Sequence, residues 1–261
     1  MADTRDLVKR QFGAHAQHYV TSPDHAQGES LERMLELVQP RAEWQALDIA
    51  TGGGHTARAF APRVRQVTAT DLTARMLTAA EKFIRGPGIT NMAFCEAEAA
   101  ALPFAEGEFD LVTCRVAPHH FPDCAWFVRE MARVLKPGGV AAMIDNVVPQ
   151  NPAAARHINA LEKLRDPSHN WAYTQADWLG FFEAAGFEVT RAETFRKARD
   201  FDFWSAMMSV DQKTRTQLRV LLRHAPAPAR EALAPEYKGE KITFYLTEVL
   251  IIGQRHERSR T

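Results

Sequence analysis

Residues 46–60 read ALDIATGGGHTARAF, and the order strand, glycine turn, helix in this stretch sets the fold. An apolar strand reaches Asp48, the small residues Ala50 to Gly54 make a turn, and a helix begins near His55. Glycine at positions 52, 53 and 54 allows tight backbone conformations and lets a ligand approach without a Cβ clash. The amides opening the next helix carry partial positive charge, which stabilises a carboxylate or phosphate beside them. Further on, VTATDLTARML (67–77) places Asp71 at the end of a second strand. An acid there accepts hydrogen bonds from both hydroxyls of a ribose. It also reads as the N-cap of the helix containing Met76, but its place after the adjacent strand favours the ribose role. From Gly52 the run is G-G-G-H-T-A, which does not satisfy G-x-G-x-x-G, but alanine is a permitted last residue and the mismatch is mild, so a dinucleotide and another adenosine compound both stay open.

Outward from that turn, strand-length apolar runs alternate with helical patterns. The strand candidates are ALDIA (46–50), VTAT (67–70), MAFC (92–95), FDLVTC (109–114), VAAMID (140–145), FEVTRAE (187–193) and ITFYLTEVLII (242–252). The first five are nearly unbroken in apolar character, as strands covered on both faces are. The last is longer and partly alternating, which suits an antiparallel member. Phe127, Met131, Val134 and Leu135 form an apolar helical stripe, Asp123 is its N-cap, and Pro137, Gly138 and Gly139 end it. The alternation predicts an α/β fold, a doubly wound, mostly parallel sheet of seven strands with an antiparallel last strand. Residues 1–40 and 195–238 stand outside the rhythm and read equally as helical lids over the strand ends or as packing helices.

Composition narrows the class. Lys and Arg total 32 against 32 Asp and Glu, so the chain carries no net charge to draw it to nucleic acid or an anionic membrane. Three cysteines in a chain of 261 residues do not make a disulfide framework. The opening MADTRDLVKRQFG lacks the apolar run of a signal peptide, no stretch has the length of a membrane span, and a cytoplasmic protein is expected.

Five motifs in order then resemble one family. LDIATGGG (47–54) resembles the first motif of class I S-adenosylmethionine-dependent methyltransferases, with Ala50 where a glycine is usual. TATDLTARML (68–77) resembles their ribose-binding motif, and EAEAAALPF (96–104) their G-D-A-E-x-L-P-F block with Ala97 and Glu98 in place of Gly-Asp. FDLVTCRVAPHHFPD (109–123) and RVLKPGGV (133–140) resemble the strand and loop before the reacting centre and the motif after it. Within the family the chain is similar to ubiquinone/menaquinone-biosynthesis-type methyltransferases, in a subgroup carrying R-x-x-x-H-H-F, here Arg115 with His119, His120 and Phe121, and R-D-P-S-H, here Arg165 to His169.

The resemblance implies a Rossmann-like core over residues 41–194, an N-terminal helical lid over 1–40, a helical insertion covering the acceptor over 195–238, and a final strand and tail over 239–261. It implies S-adenosylmethionine as cofactor, held by Tyr19, Asp48, Ala50, Gly52, Gly54, Asp71, Leu72, Met76, Glu98, Ala99 and Arg115. Tyr19 and Phe12 read either as aromatic closures over the cofactor or as core anchors. Methyl transfer is an in-line displacement that asks mainly for alignment, exclusion of water and, for some acceptors, a base. Residues after the fourth and fifth strands, namely Arg115, His119, His120, Asp145 and Asn146, are expected to line the acceptor site. His119 and His120 are the candidate bases because histidine titrates near neutral pH, or else they pack under the loop. Asn146, Arg165 and His169 are expected to hold the acceptor, a small cyclic or aromatic molecule methylated on carbon or oxygen, although R-D-P-S-H reads as well as a salt-bridged turn. Arg115 reads equally as holding an anionic or phenolic acceptor or as pairing with a nearby carboxylate.

Cys114, His119, His120 and Cys124 lack paired C-x-x-C spacing, so no metal is expected. The partner expected is a small molecule, without nucleic acid or membrane; a homodimer is compatible with the reading. A nicotinamide-dependent oxidoreductase and a non-catalytic adenosylmethionine-binding protein are the rival functions.

Overall fold

The structure is a computed structural model that describes residues 28–86 and 88–257, together with Leu7 and Lys9. Tyr19 and Phe12 lie outside the described residues, as does most of the expected N-terminal lid. Helix α1 (Glu29–Val38) leads into β1 (Gln45–Ile49), α2 (His55–Phe60), β2 (Gln66–Asp71), α3 (Ala74–Arg85), β3 (Met92–Glu96) and β4 (Phe109–Arg115). Then follow α4 (Cys124–Val134), β5 (Leu135–Val147), α5 (Pro152–Arg165), α6 (Gln175–Ala184) and β6 (Phe187–Asp200). Helices α7 (Phe201–Ala206), α8 (Gln212–Arg223) and α9 (Ala227–Leu233) precede β7 (Glu236–Lys238) and β8 (Lys241–Arg255).

The sheet order is β3-β2-β1-β4-β5-β8-β6, with β7 paired to the start of β8. Strands β1 to β5 are mutually parallel, and β8 runs antiparallel between β5 and β6. Strand order reverses between β1 and β4, which opens a crevice at their carboxyl ends. The period-2 alternation of side chains fills both faces. Ala46, Leu111, Ala142, Ile144, Leu250 and Ile252 meet Met34, Phe60, Ala80 and Ile84 on one side. Leu47, Val112, Ala141, Met143, Val249 and Ile251 meet Phe127, Met131, Trp178 and Phe182 on the other. This double burial explains the unbroken apolar runs of the inner parallel strands β1, β2, β4 and β5, whereas β3 lies at the sheet edge and is only half buried.

Two boundaries differ from the sequence reading. Strand β6 continues through TFRKARD to Asp200, past residue 194, because Phe195 to Asp200 stay in register with Thr243 to Glu248 of β8 although their outer face is charged and exposed. An eighth strand, the exposed EYK of β7, turns back on β8 through a hairpin and carries no apolar signal of its own. Asp123 does cap α4, accepting from the Trp126 amide at 2.8 Å, but the helix ends at Val134 and Leu135 already pairs with Phe109. Helices α5, α8 and α9 pack together over the first half of β8, around Ile158, Leu161, Trp204, Leu218, Leu222 and Phe244. No helix among the described residues is long and apolar enough to cross a membrane.

Candidate active site

The carboxyl ends of β1 to β4 surround one cavity of about 1120 Å3, measured to its open mouth. Asp48, Ala50, Gly52, Asp71, Leu72, Met76, Glu98, Ala99 and Arg115 all line it, so the structure brings together nine of the residues expected around the cofactor. Thr51, Gly53, His55, Thr56, Ala97, Ala100, Val116, Ala117, His120, Phe121 and Pro122 complete the wall.

Asp48 is only 2% exposed. Its Oδ1 accepts from Thr113 Oγ1 and its Oδ2 from Thr51 Oγ1, both at 2.6 Å, while burial raises its pKa. The carboxylate therefore ties the turn after β1 to the middle of β4. Ala50 takes the left-handed conformation at φ +51, the position where glycine costs nothing and alanine costs about 1 kcal/mol. Gly52 follows at φ +53, and its N–H donates to Asp71 Oδ2 at 3.1 Å. Asp71 Oδ1 accepts from the Thr73 amide at 2.9 Å. Thr73, not Asp71, is the N-cap of α3. Burial pushes the Asp71 pKa up to about 6. Arg115 faces this cavity, with its Nε donating to Thr56 Oγ1 at 3.0 Å.

Gly54 has a different duty from the one expected of it. It does not line the cavity, and a Cβ there would meet Ile84 Cδ1 at 2.8 Å and Ala80 Cβ at 3.1 Å. At φ +83 it turns the chain into α2 and lets α2 approach α3. Gly54→Ala combines left-handed strain with overpacking and is expected to cost about 2–3 kcal/mol. Thermal unfolding should then fall by roughly 5–10 °C; a change under one degree would remove the packing role.

A second cavity of about 700 Å3 adjoins the first, and Val116 and His120 border both. His119, Asn146, Arg165 and His169, all expected near the acceptor, line it with Glu162, Asp166, Arg199, Phe203, Trp204, Met207 and Leu246. Asp145 sits beneath this wall, fully buried, and is not part of it. The two motifs meet because the 165–171 loop is stitched to the 119–121 segment. Asn170 and Trp171 amides donate to the His119 carbonyl at 2.8 and 3.0 Å, and Asn170 Nδ2 donates to the Phe121 carbonyl at 2.8 Å. Val116 is a β-branched residue at φ +53, a conformation that costs about 1–3 kcal/mol and is held by its N–H on the Ile144 carbonyl at 2.7 Å.

Three histidines converge here in three different states. Burial opposes charge on His119, but the Asp145 carboxylate, whose Oδ1 lies 2.6 Å from Nδ1, outweighs it and raises the pKa. Ser168 Oγ donates to Asp166 Oδ1 at 2.6 Å, so towards His120 it can only accept, and it lies 3.2 Å from Nδ1. That places the His120 proton on Nδ1 and leaves Nε2 as the basic nitrogen. Burial, then the neighbouring His119 charge, push its pKa down to about 3. Asn159 Nδ2 donates to the Ala155 and Ala172 carbonyls, so Oδ1 accepts from Ala172 N and from His169 Nε2 at 2.8 Å. His169 is thus the Nε2–H tautomer, with burial lowering its pKa to about 2.

Several of these residues left no mark in the sequence. Thr113 and Thr51 sit in ordinary strand and turn positions, Glu162 lies on a helix with no motif of its own, and Trp204 falls in the 195–238 segment, where no single residue stood out. Asn159 is a lone amide on a helix.

The comparisons agree with this geometry. Residues 47–143 match the model of a methyltransferase domain. The methyltransferase YcgJ of Bacillus subtilis (strain 168), itself uncharacterised, is 34% identical over 93% of this chain and 96% of its own length. A solved structure assigned as a methyltransferase, from Bacillus halodurans C-125, superposes with a TM-score of 0.85 at 35% identity, covering 88% of this chain and all of that one. The ubiquinone/menaquinone biosynthesis C-methyltransferase UbiE of Shewanella sediminis (strain HAW-EB3) is 33% identical over 67% of this chain and 68% of its own. The chain therefore belongs to the class I S-adenosylmethionine-dependent methyltransferases and is related to the ubiquinone/menaquinone type.

Proposed function

We propose that this methyltransferase moves a methyl group to carbon or oxygen of a small cyclic or aromatic acceptor, with the cofactor in the first cavity and the acceptor in the second. One observation supports the cofactor assignment above others: the Gly52 amide, which would face a pyrophosphate in a dinucleotide site, is spent on the Asp71 carboxylate. Three carboxylates (Asp48, Asp71 and Glu98) against one guanidinium (Arg115) make this wall acidic. Such a wall suits a sulfonium and an ammonium and repels a pyrophosphate.

When bound, S-adenosylmethionine supplies a methyl group on a positively charged sulfur, already activated for displacement. Asp71 would accept from the ribose hydroxyls, and the backbone from Ala50 to Gly53 would pass beside the amino-acid tail. Leu72, Met76 and Ala99 would cover the adenine with Glu98 at its edge. His120 borders both cavities, and because burial and the His119 charge disfavour its protonation it would position the acceptor and not take up its proton. Asp166 and Ser168 hold its ring. His119 lies on the acceptor side alone and acts through position. Helix α7 covers the acceptor side with Phe203 and Trp204.

Calorimetry should give saturable binding of S-adenosylhomocysteine and none of NADH; the reverse preference would sink the assignment. Transfer of a radiolabelled methyl group into a metabolite extract then identifies the acceptor.

A further inference from the structure

One wall of the first cavity is built from residues 97–100, which belong to no helix and to no strand of the sheet. Both ends of this segment are fixed to neighbouring elements. The Ala97 N–H donates to the Asp71 carbonyl at 3.0 Å. At the other end the Leu102 N–H donates to Glu130 Oε2 at 3.0 Å, and Arg133 donates to the Leu102 and Phe104 carbonyls at 2.9 and 2.7 Å. Arg133 also bonds Glu130 Oε1 at 2.7 Å, which lowers the Glu130 pKa and keeps that carboxylate an acceptor. Between the ends the chain turns, with the Ala101 N–H on the Glu98 carbonyl at 3.0 Å. There the Ala100 carbonyl receives Trp126 Nε1 at 2.8 Å.

Trp126, Glu130 and Arg133 stand at i, i+4 and i+7 of α4 and so share one face of that helix. Glu130 is buried and holds the end of the segment. Trp126 is 48% exposed, lies outside the cavity wall and carries the Arg129 guanidinium 5.2 Å from its ring. An indole so placed can give its N–H to water, so burial does not force the bond to Ala100. That bond restrains a carbonyl two residues from Glu98, in a stretch without the backbone ladder of a strand. The core face of α4, with Phe127, Met131 and Val134, is separate from it.

Given the assignment of the first cavity to the cofactor, we infer that Trp126 is a positioning residue for the adenine end of that cofactor. It acts from outside the cavity by holding residues 97–100, and Glu98 with them, through the Ala100 carbonyl. The test compares the full chain with Trp126→Phe, Glu98→Ala and the double variant by calorimetry with S-adenosylhomocysteine. Hydrogen exchange over residues 97–102 is followed in parallel. Trp126→Phe keeps a ring on α4 and removes the donor alone. It is expected to weaken S-adenosylhomocysteine about three- to fivefold, the size of one neutral hydrogen bond, and to speed exchange of the Ala101 and Leu102 amides. In the Glu98→Ala background the same substitution should cost less than about twofold, because its effect passes through Glu98. A residue that only stabilised α4 would cost the same in both backgrounds. Affinity of Trp126→Phe within about 1.5-fold of the unsubstituted chain, or an equal loss in both backgrounds, overturns the inference. Faster exchange in Trp126→Phe, with no binding of S-adenosylhomocysteine by the unsubstituted chain, leaves the hold on residues 97–100 standing and removes the cofactor assignment instead.

Discussion

Asp71→Asn is expected to lower the affinity for S-adenosylhomocysteine about a hundredfold, ~3 kcal/mol, while changing stability little at pH 8. The loss follows from replacing charge-assisted hydrogen bonds to the two ribose hydroxyls, each worth about 1.5–3 kcal/mol, with a single neutral one. The small change in stability follows from two opposed effects. Burial raises the Asp71 pKa from 3.8 to about 6, so folding without ligand disfavours the ionised form relative to the unfolded chain. A raised folded pKa contributes stability that is present below the unfolded pKa and lost as pH rises through the folded one. Above about pH 6 the ionised carboxylate therefore costs on the order of 3 kcal/mol, which asparagine relieves. Against that, the side-chain carbonyl of the introduced asparagine can satisfy only one of the two backbone donors, Gly52 N–H and Thr73 N–H, at a cost of about 1–3 kcal/mol. The wild-type affinity should also weaken as pH falls below about 6, a dependence the variant lacks. Unchanged affinity in the variant, with its unfolding curve intact, would assign Asp71 to the turn alone.

The parts of the molecule legible in its sequence are those governed by local rules. The inner parallel strands announce themselves because both faces are buried, and Asp123 announces α4 because its carboxylate answers an amide three residues away. Histidines 119, 120 and 169 are readable as a group only through motif resemblance. Nothing local says that the His119 carbonyl receives the amides of residues 170 and 171. Gly54 shows the limit plainly. A glycine-rich turn after a strand invites a ligand, yet this glycine answers to Ile84 and Ala80, thirty and twenty-six positions away. The RDPSH stretch reads either as a salt-bridged turn or as an acceptor contact, and the structure combines the turn with a place on the cavity wall. Asp166 closes the turn on the Ser168 amide at 2.8 Å while Arg165 and His169 face the cavity. The polar outer half of β6 is hidden for the opposite reason, since its pairing with β8 is a matter of backbone partners and not of apolar side chains.

The His119–Asp145 pair should produce the largest stability effect in the protein. Asp145 has no solvent exposure and His119 has 7%, so neither side chain can turn to water if the other is removed. Asp145→Leu leaves a buried imidazole whose raised pKa came from the Asp145 charge and hydrogen bond, and the expected cost is about 3–5 kcal/mol. In urea this moves the midpoint down by about 1 M or more. His119→Leu leaves a buried carboxylate already disfavoured by desolvation, with a cost in the same range. The double variant Asp145→Leu with His119→Leu removes both buried polar groups and should recover most of that loss, because well-packed apolar residues replace a buried ion pair at little net cost. The signature is therefore non-additivity, a coupling of about 2–4 kcal/mol between residues that single substitutions make look separately essential. Binding of S-adenosylhomocysteine should survive in the double variant, since His119 lines only the second cavity and Asp145 lines neither. Single and double losses that simply add would show that the two residues act independently. Loss of cofactor binding in a stably folded double variant would show that the pair reaches across the Val116 and His120 wall into the first cavity.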